Sequence, residues 1–346
     1  VQTCALPILA EAGSNWRMGS PSRDIKMAKT LIDIAHDAGA DAVKFQTYKP
    51  ETVYVSNAGD SDYLSEAGIK ESITEIFRDL SMPYEMIPQL SDHCKKYGIK
   101  FMSTPFSVQD ARVLNPYVQI HKIASYEITH SRLIEFLAKT KKPLIMSTGA
   151  ATIDEIKWSV NHFYKNGGMK ISLMQVTAKY PAPLSTLNLR VIPKLIEQFK
   201  IPVGLSDHST HPIIAPVAAV ALGATIIEKH FTLHKNLPGP DHSFALTPDQ
   251  LKVMVKSIRD CESSLGTGDK IVQREEQELR KFAQRAIQAT KLIRKGEIFR
   301  EGENIDILRP GKQKQGLHPK YLTQIINKTA KRNIQSGQGI TKADYE

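Results

Sequence analysis

Eight short apolar runs, each followed by a polar loop and a segment of helical spacing, limit what this chain can fold into. They lie at 8–12, 42–46, 100–104, 120–124, 144–147, 171–176, 202–205 and 225–230. The runs are continuous rather than alternating, as strands are when both faces of a sheet are covered. Between them, residues 22–39 place Ile25, Ala28, Leu31, Ile32 and Ala35 on one helical face and stop at Gly39. Residues 152–168 open with Thr152 and Glu155 in capping-box positions and close on a glycine pair. Eight strand–helix units in about 265 residues match a (β/α)8 TIM barrel in count and length. No first turn reads G-x-G-x-x-G, which argues against a doubly wound open sheet.

The pattern changes after Gly268. Residues 269–284 are charged and read as a linker, whereas 285–346 break into short elements punctuated by turn residues. The expected organisation is a barrel at 1–268, a linker at 269–284 and a small β-rich module at 285–346. A module of that size is near the lower limit for an independent core and is expected to lean on a partner surface.

No apolar run reaches the roughly 18–20 residues that span a bilayer. The segment "CALPILA" is short and lacks the basic flank of a secretory signal. Cys4, Cys94 and Cys261 show no C-x-x-C spacing and make no disulfide framework, so a cytoplasmic location is expected. The net charge of +10 is spread along the chain rather than gathered into a stripe interleaved with aromatics. That distribution suits a solvated basic surface or attraction of anionic small molecules, and argues against a nucleic-acid partner.

Chemistry in such barrels sits where the strands end. The eight ends supply Glu11; Lys44 and Gln46; Ser103, Thr104 and Phe106; Lys122, Ser125 and Glu127; Ser147 and Thr148; Thr177, Lys179 and Tyr180; Ser206, Asp207 and His208; and Glu228 and His230. Lysines as point charges and hydroxyls as donors make an inventory for a phosphate and a carboxylate. His208 and His230, at neighbouring ends, can hold one divalent ion with positions open to water and substrate. Glu11, beside the eighth strand, can serve as general acid–base. Blander readings stand beside these. Lys44 can be a buried partner of Glu11; Ser147, Thr148 and Ser206, taken singly, read as helix caps; either histidine can be structural. Tyr180 and Phe106 read as packing residues unless they line the mouth. His211, His234 and His242 read as loop residues, with His242 a candidate contact.

In order along the chain, "AEAGSNW", "GADAVKFQTY", "FMSTPF", "HKIASYEI", "MSTGA", "KYPAP", "GLSDHS", "EKHFTL" and "PGPDH" resemble the sialic acid synthase family. The segment from "RAIQATKLIRKGEIF" onward is similar to that family's antifreeze-like (SAF, β-clip) domain. The resemblance spans residues 9–346 and implies a transferase that condenses phosphoenolpyruvate with an N-acylated amino sugar to a nine-carbon 2-keto acid. It implies phosphoenolpyruvate on Lys44, Thr104, Lys122, Ser125, Ser147 and Ser206. A divalent metal, manganese or else magnesium or cobalt, would sit on His208 and His230, with Glu11 in the acid–base position. It places Gln46, Phe106, Tyr180 and Asp241 around the sugar. Arg309 would reach the neighbouring subunit's mouth, which implies a domain-swapped homodimer.

Two departures from the family pattern stand out: Trp16 where histidine is common, and Ala178 where Asn or Ser is common. Both bear on which sugar fits: N-acetylmannosamine, its 6-phosphate, or the precursors of legionaminic or pseudaminic acid. Other phosphoenolpyruvate-condensing or aldol-type barrels, which generally lack the appended module, and a non-catalytic carbohydrate-binding protein are the alternative readings.

Overall fold

Residues 5–59 and 72–345 are described by the computed structural model; Cys4 lies outside them. The chain divides into two compact units, Val1–Gly266 and Thr267–Glu346. Among the described residues no helix is long and apolar enough to cross a membrane.

The first unit is built on eight parallel strands: β1 Ile8–Gly13, β2 Ala42–Thr47, β3 Lys100–Pro105, β4 His121–Ile123, β5 Leu144–Ser147, β6 Ile171–Val176, β7 Val203–Asp207 and β8 Ile227–His230. Their order, β3-β2-β1-β8-β7-β6-β5-β4, curls the sheet until β3 and β4 lie side by side without a ladder between them. The barrel of the sequence reading is therefore present and nearly closed. The seventh strand runs on to Asp207, beyond the apolar run, because Ser206 and Asp207 still pair with Glu228 and Lys229 of β8.

Successive residues of a strand face opposite sides, so each strand supplies two cores. Ile8, Ala10, Val43, Phe45, Leu173, Val203, Leu205 and Ile227 face outward into a large core shared with the helices. Leu9, Ala42, Met102, Ile145, Met174 and Ile226 fill the barrel floor. Gly204 belongs to that floor, where a Cβ would come within 2.4 Å of Ile226 O and 2.7 Å of Met174 Sδ. The positions two residues further along carry the polar side chains described below.

The surrounding helices follow their sequence signals. Helix Pro21–Asp37 buries Ala28, Leu31, Ile32 and Ala35 as the spacing predicts, with Asp24 beside them and Ile25 only half-buried. Helix Ile153–Lys165 has the capping box: Thr152 Oγ1 accepts from Glu155 N at 3.3 Å, and Glu155 Oε2 accepts from Thr152 N at 2.7 Å. That reciprocal pair satisfies two amides that no helical carbonyl reaches.

In the second unit, the stretch read as a linker holds a 3-10 turn at Arg274–Glu276 and a helix at Gln277–Ala283. β9 Ala286–Ala289 then pairs antiparallel with β10 Ile305–Leu308. Ile287, Ile293, Phe299, Ile305, Ile325, Ile334 and Ile340 are fully buried and give this unit a core of its own.

Candidate active site

Above the apolar floor the barrel interior turns polar. Glu11, Lys44, Thr104, Lys122, Ser147, Ser206 and Glu228 are all buried at this level. Lys44 Nζ lies 2.5 Å from Glu11 Oε2 and 3.7 Å from Glu228 Oε1, and donates to Thr104 Oγ1 at 3.1 Å. Lys122 Nζ donates to Ser147 Oγ at 2.6 Å and lies 3.8 Å from Glu228 Oε2. Ser206 Oγ donates to Glu228 Oε1 at 3.2 Å. Ser147 and Ser206 thus serve this cluster rather than capping helices, while Thr148 Oγ1 is committed to Met174 O.

Two lysines and two carboxyl groups thus lie together in the buried barrel interior. Burial pushes the Glu11 carboxyl up to about 7, against the pull of Lys44. Burial also pulls Lys122 down to about 8. Glu228 goes the other way: burial opposes ionisation, but Lys122 and Lys44 outweigh it and hold the carboxyl below its ordinary value. Glu228 received no role from the sequence, although it shares a face with His230 two residues on; its role appears only when Lys44 and Lys122 are seen on either side of it. Glu127 likewise stands among the strand ends without an assigned role. It is buried, burial raises it to about 7, and its Oε2 has no hydrogen-bond partner.

At the next level up, His208 and His230 sit with ring centroids 5.6 Å apart and planes at 74°. Burial holds His208 down at about 4 and His230 well below its ordinary value, so both imidazoles are neutral at pH 7. His208 Nδ1 faces Thr177 O at 3.0 Å, which assigns the proton to Nδ1 and leaves the Nε2 lone pair free. His230 Nδ1 is buried without a hydrogen bond, 3.7 Å from Asp241 Oδ2. Among the described residues no group of three or more His, Cys, Asp and Glu forms a metal cluster. The groups that could hold a divalent ion are therefore this neutral imidazole pair, whose 5.6 Å centroid separation is close to what one shared ion requires. Two rings bound to one ion through nitrogens at about 2.0–2.1 Å have centroids roughly 5–5.5 Å apart. Two protein ligands leave positions open to water and substrate.

The other expected contacts sort as follows. Gln46 Nε2 donates to Glu11 Oε1 at 3.3 Å. Tyr180 stacks on His208 at 4.0 Å between centroids and stands edge-on to His230 at 5.7 Å, so it lines the mouth rather than the helix core. Asp241 is bonded by the backbone and side chain of Ser14, and burial raises it to about 6. Gly13, at φ +51°, leaves room for it; a Cβ there would come within 2.6 Å of Asp241 Oδ2. Ser125 Oγ accepts from Gly149 N at 3.0 Å. Phe106 is half-buried and packs edge-on to Tyr48 at 5.1 Å between centroids. Arg309 belongs to the second unit and is exposed.

Of the two departures, Trp16 is buried in the large outer core, whereas Ala178 faces Gly149, its Cβ 3.1 Å from where a Gly149 Cβ would be. His242 is buried with Nδ1 2.6 Å from Thr232 Oγ1, so it braces the loop that carries Asp241. His211 and His234 accept backbone amides in their own turns.

Comparison with known proteins agrees with this arrangement. The NeuB family profile matches residues 31–270, and the SAF domain profile matches 284–346. The spore coat polysaccharide biosynthesis protein SpsE of Bacillus subtilis (strain 168) is 41% identical over 353 aligned positions, covering 97% of this chain and 92% of that protein. A crystal structure of SpsE from B. subtilis matches with a TM-score of 0.65 at 39% identity, over 100% of this chain and 96% of that one. The N,N'-diacetyllegionaminic acid synthase of Campylobacter jejuni subsp. jejuni serotype O:2 is 38% identical, covering 96% of this chain and 97% of that protein. The pseudaminic acid synthase of C. jejuni subsp. jejuni serotype O:23/36 is 37% identical, covering 98% and 96%. The chain belongs to the NeuB family and carries a SAF domain in its second unit.

Proposed function

We propose that this protein is a nonulosonic acid synthase that joins phosphoenolpyruvate to the open-chain form of an N-acylated amino sugar, releasing phosphate. The observation that carries the reading is the buried pair Lys44 and Lys122, which share Glu228 and lie beside Glu11 in the barrel interior. When Glu11 is protonated, Glu228 alone faces two buried ammoniums, and the remaining positive charge is costly unless an anion comes to it. Thr104, Ser125 and Ser147 accept hydrogen bonds and keep hydroxyl protons to donate to a phosphate and a carboxylate, and Ser206 would exchange Glu228 for the anion. Membership of the NeuB family and the appended SAF domain favour this reaction over other aldol-type barrels.

The chemistry follows from the layers. The enol phosphate lies on the lysines, and its C3 attacks the sugar aldehyde. Protonated Glu11 gives its proton to the aldehyde oxygen as the new C–C bond forms. Positive charge at C2 is then quenched by water, whose proton returns to Glu11. The C2 hydroxyl becomes the ketone as the C–O bond to phosphate breaks, and its proton leaves with the phosphate. Lys44 and Lys122 neutralise the phosphate and carboxylate throughout. A divalent cation, manganese or else magnesium or cobalt, would be held by His208 and His230 and supplies Lewis acidity at the aldehyde oxygen. Holding both substrates in line contributes part of the roughly 7–11 kcal/mol that orientation can supply.

Gln46, Phe106, Tyr180 and Asp241 are the proposed sugar contacts, joined by Arg309 from a second subunit in a domain-swapped homodimer working in the cytoplasm. An unphosphorylated sugar of the sialic or legionaminic series is favoured, although the legionaminic and pseudaminic relatives stand at nearly equal identity. Phosphate release from phosphoenolpyruvate is the test, run against N-acetylmannosamine, its 6-phosphate and the two diamino-sugar precursors, with and without manganese, with mass analysis of the product. Release with one aldose and a product heavier by the pyruvyl unit supports the reading; no aldose-dependent release from the folded protein overturns it.

A further inference from the structure

β8 ends on the inward imidazole of His230, and His208 directly follows β7; one residue before each stands a charged side chain that points outward. The outward pair is Asp207 and Lys229, opposite one another in the register. Lys229 Nζ lies 2.5 Å from Asp207 Oδ2, and both side chains are fully buried. The ammonium also donates to Ser209 O, and reaches Ser209 Oγ and His211 O at 3.3 Å. Asp207 in turn accepts from Ser209 N at 2.8 Å and from Ser209 Oγ at 3.1 Å. This network ties β7, β8 and the first three residues beyond His208 together.

Stability alone does not explain it. An apolar pair of similar volume often packs as well as a buried ion pair or better. What the ion pair adds is a fixed axial position of one strand against its neighbour and a hold on the turn at 209–211. The two imidazoles depend on that differently. His208 has its ring anchored to Thr177 O, whereas His230 Nδ1 has no hydrogen bond, so its place is set by its backbone and by packing against Tyr180 and Phe244. Lys229 is the residue next to it.

We infer that Asp207 and Lys229 are a positioning pair that sets the separation of His208 and His230, and thereby the affinity of the site for a divalent cation. The inference rests on the metal reading above and assigns a role to residues that touch neither substrate nor ion. Groups that hydrogen-bond a metal ligand typically change metal affinity 10–100-fold when removed; a pair that acts through the backbone is expected at the lower end of that range.

The test compares manganese binding to the full chain without substrates, followed by electron paramagnetic resonance of the free ion. The samples are the wild type, His208→Ala, and the double variant Asp207→Leu/Lys229→Met, which leaves no unpaired charge. Circular dichroism and the thermal midpoint report the fold. The expected result is a manganese Kd at least tenfold weaker in the double variant, with an unchanged spectrum and midpoint. A folded double variant that binds manganese as the wild type does overturns the positioning role. A wild type with no manganese site, or one that His208→Ala leaves intact, overturns the metal reading and the inference with it. Should the double variant fail to fold, Asp207→Asn/Lys229→Met is judged by the same criteria, since it leaves no unpaired charge and its amide oxygen can still accept from Ser209 N.

Discussion

Lys44 Nζ lies 2.5 Å from Glu11 Oε2 with both side chains buried in the barrel interior, and Glu228 stands 3.7 Å from the same ammonium. This salt bridge links the proposed proton carrier to the proposed anion site. An anion on Lys44 would compete with Glu11 for the ammonium and so favour the protonated carboxyl.

Glu11→Gln should lower kcat about 10²–10⁴-fold while binding phosphoenolpyruvate as well as the wild type or tighter, because one competing negative charge is gone. With Glu11 raised to about 7, kcat/KM in the wild type falls as pH rises past that value and the carboxyl loses its proton. That limb should vanish in the variant. A retained alkaline limb in Glu11→Gln assigns the titration to another group.

Lys122→Met leaves Glu228 short of a partner in the interior and is expected to cost about 3 kcal/mol of stability. Adding Glu228→Gln should recover much of the thermal midpoint without recovering phosphoenolpyruvate binding, measured by calorimetry. Recovery of both would mean that the lysine serves the fold and not the substrate.

His208→Ala should abolish turnover that depends on divalent metal. Wild-type turnover that survives exhaustive chelation contradicts a metal on the imidazole pair.

Arg309→Ala should raise KM for the sugar by tenfold or more and leave KM for phosphoenolpyruvate within twofold. Equal changes in both, or none, rule out a sugar contact from a partner's SAF domain.

Asp344 tests the second unit. Its Oδ2 accepts from Thr341 N at 2.8 Å and Thr341 Oγ1 at 2.7 Å, and its Oδ1 from Arg332 Nε at 2.6 Å. Burial opposes ionisation, but the bonds from Thr341 and Arg332 outweigh it and hold the carboxyl below its ordinary value. Its stabilising contribution is therefore complete above the ordinary carboxylate range and is lost as pH falls through the depressed value. Asp344→Ala should destabilise this unit by about 1–3 kcal/mol at pH 7. The deficit, read by chemical denaturation, should shrink on acidification; a constant deficit would show that the lost packing matters more than the charge.

Much of the site was legible because strand ends announce themselves. Glu11, Lys44, Lys122, His208 and His230 each close an apolar run, and the barrel brings such ends to one mouth. The family resemblance added Asp241, which lies in a loop that periodicity does not place, and a sugar contact for Tyr180, which the strand ends offered only as a packing or mouth-lining residue. Asp207, Lys229 and Glu228 stayed silent for a different reason. Each is an ordinary charged residue beside a conspicuous histidine, and its meaning lies wholly in a partner on another strand. The same holds for Ser147 and Ser206, which local chemistry reads as caps until Lys122 and Glu228 are found beside them.

The order of apolar runs and helical spacings determined the barrel and the appended module, because period and length follow from backbone geometry that any stretch of chain carries locally. Only the closed barrel decided the charges. Whether Glu11 holds a proton, whether two lysines can share one carboxylate, and how far apart two imidazoles sit depend on burial and on distances between residues remote in sequence. Those quantities come into being when the strands register against one another.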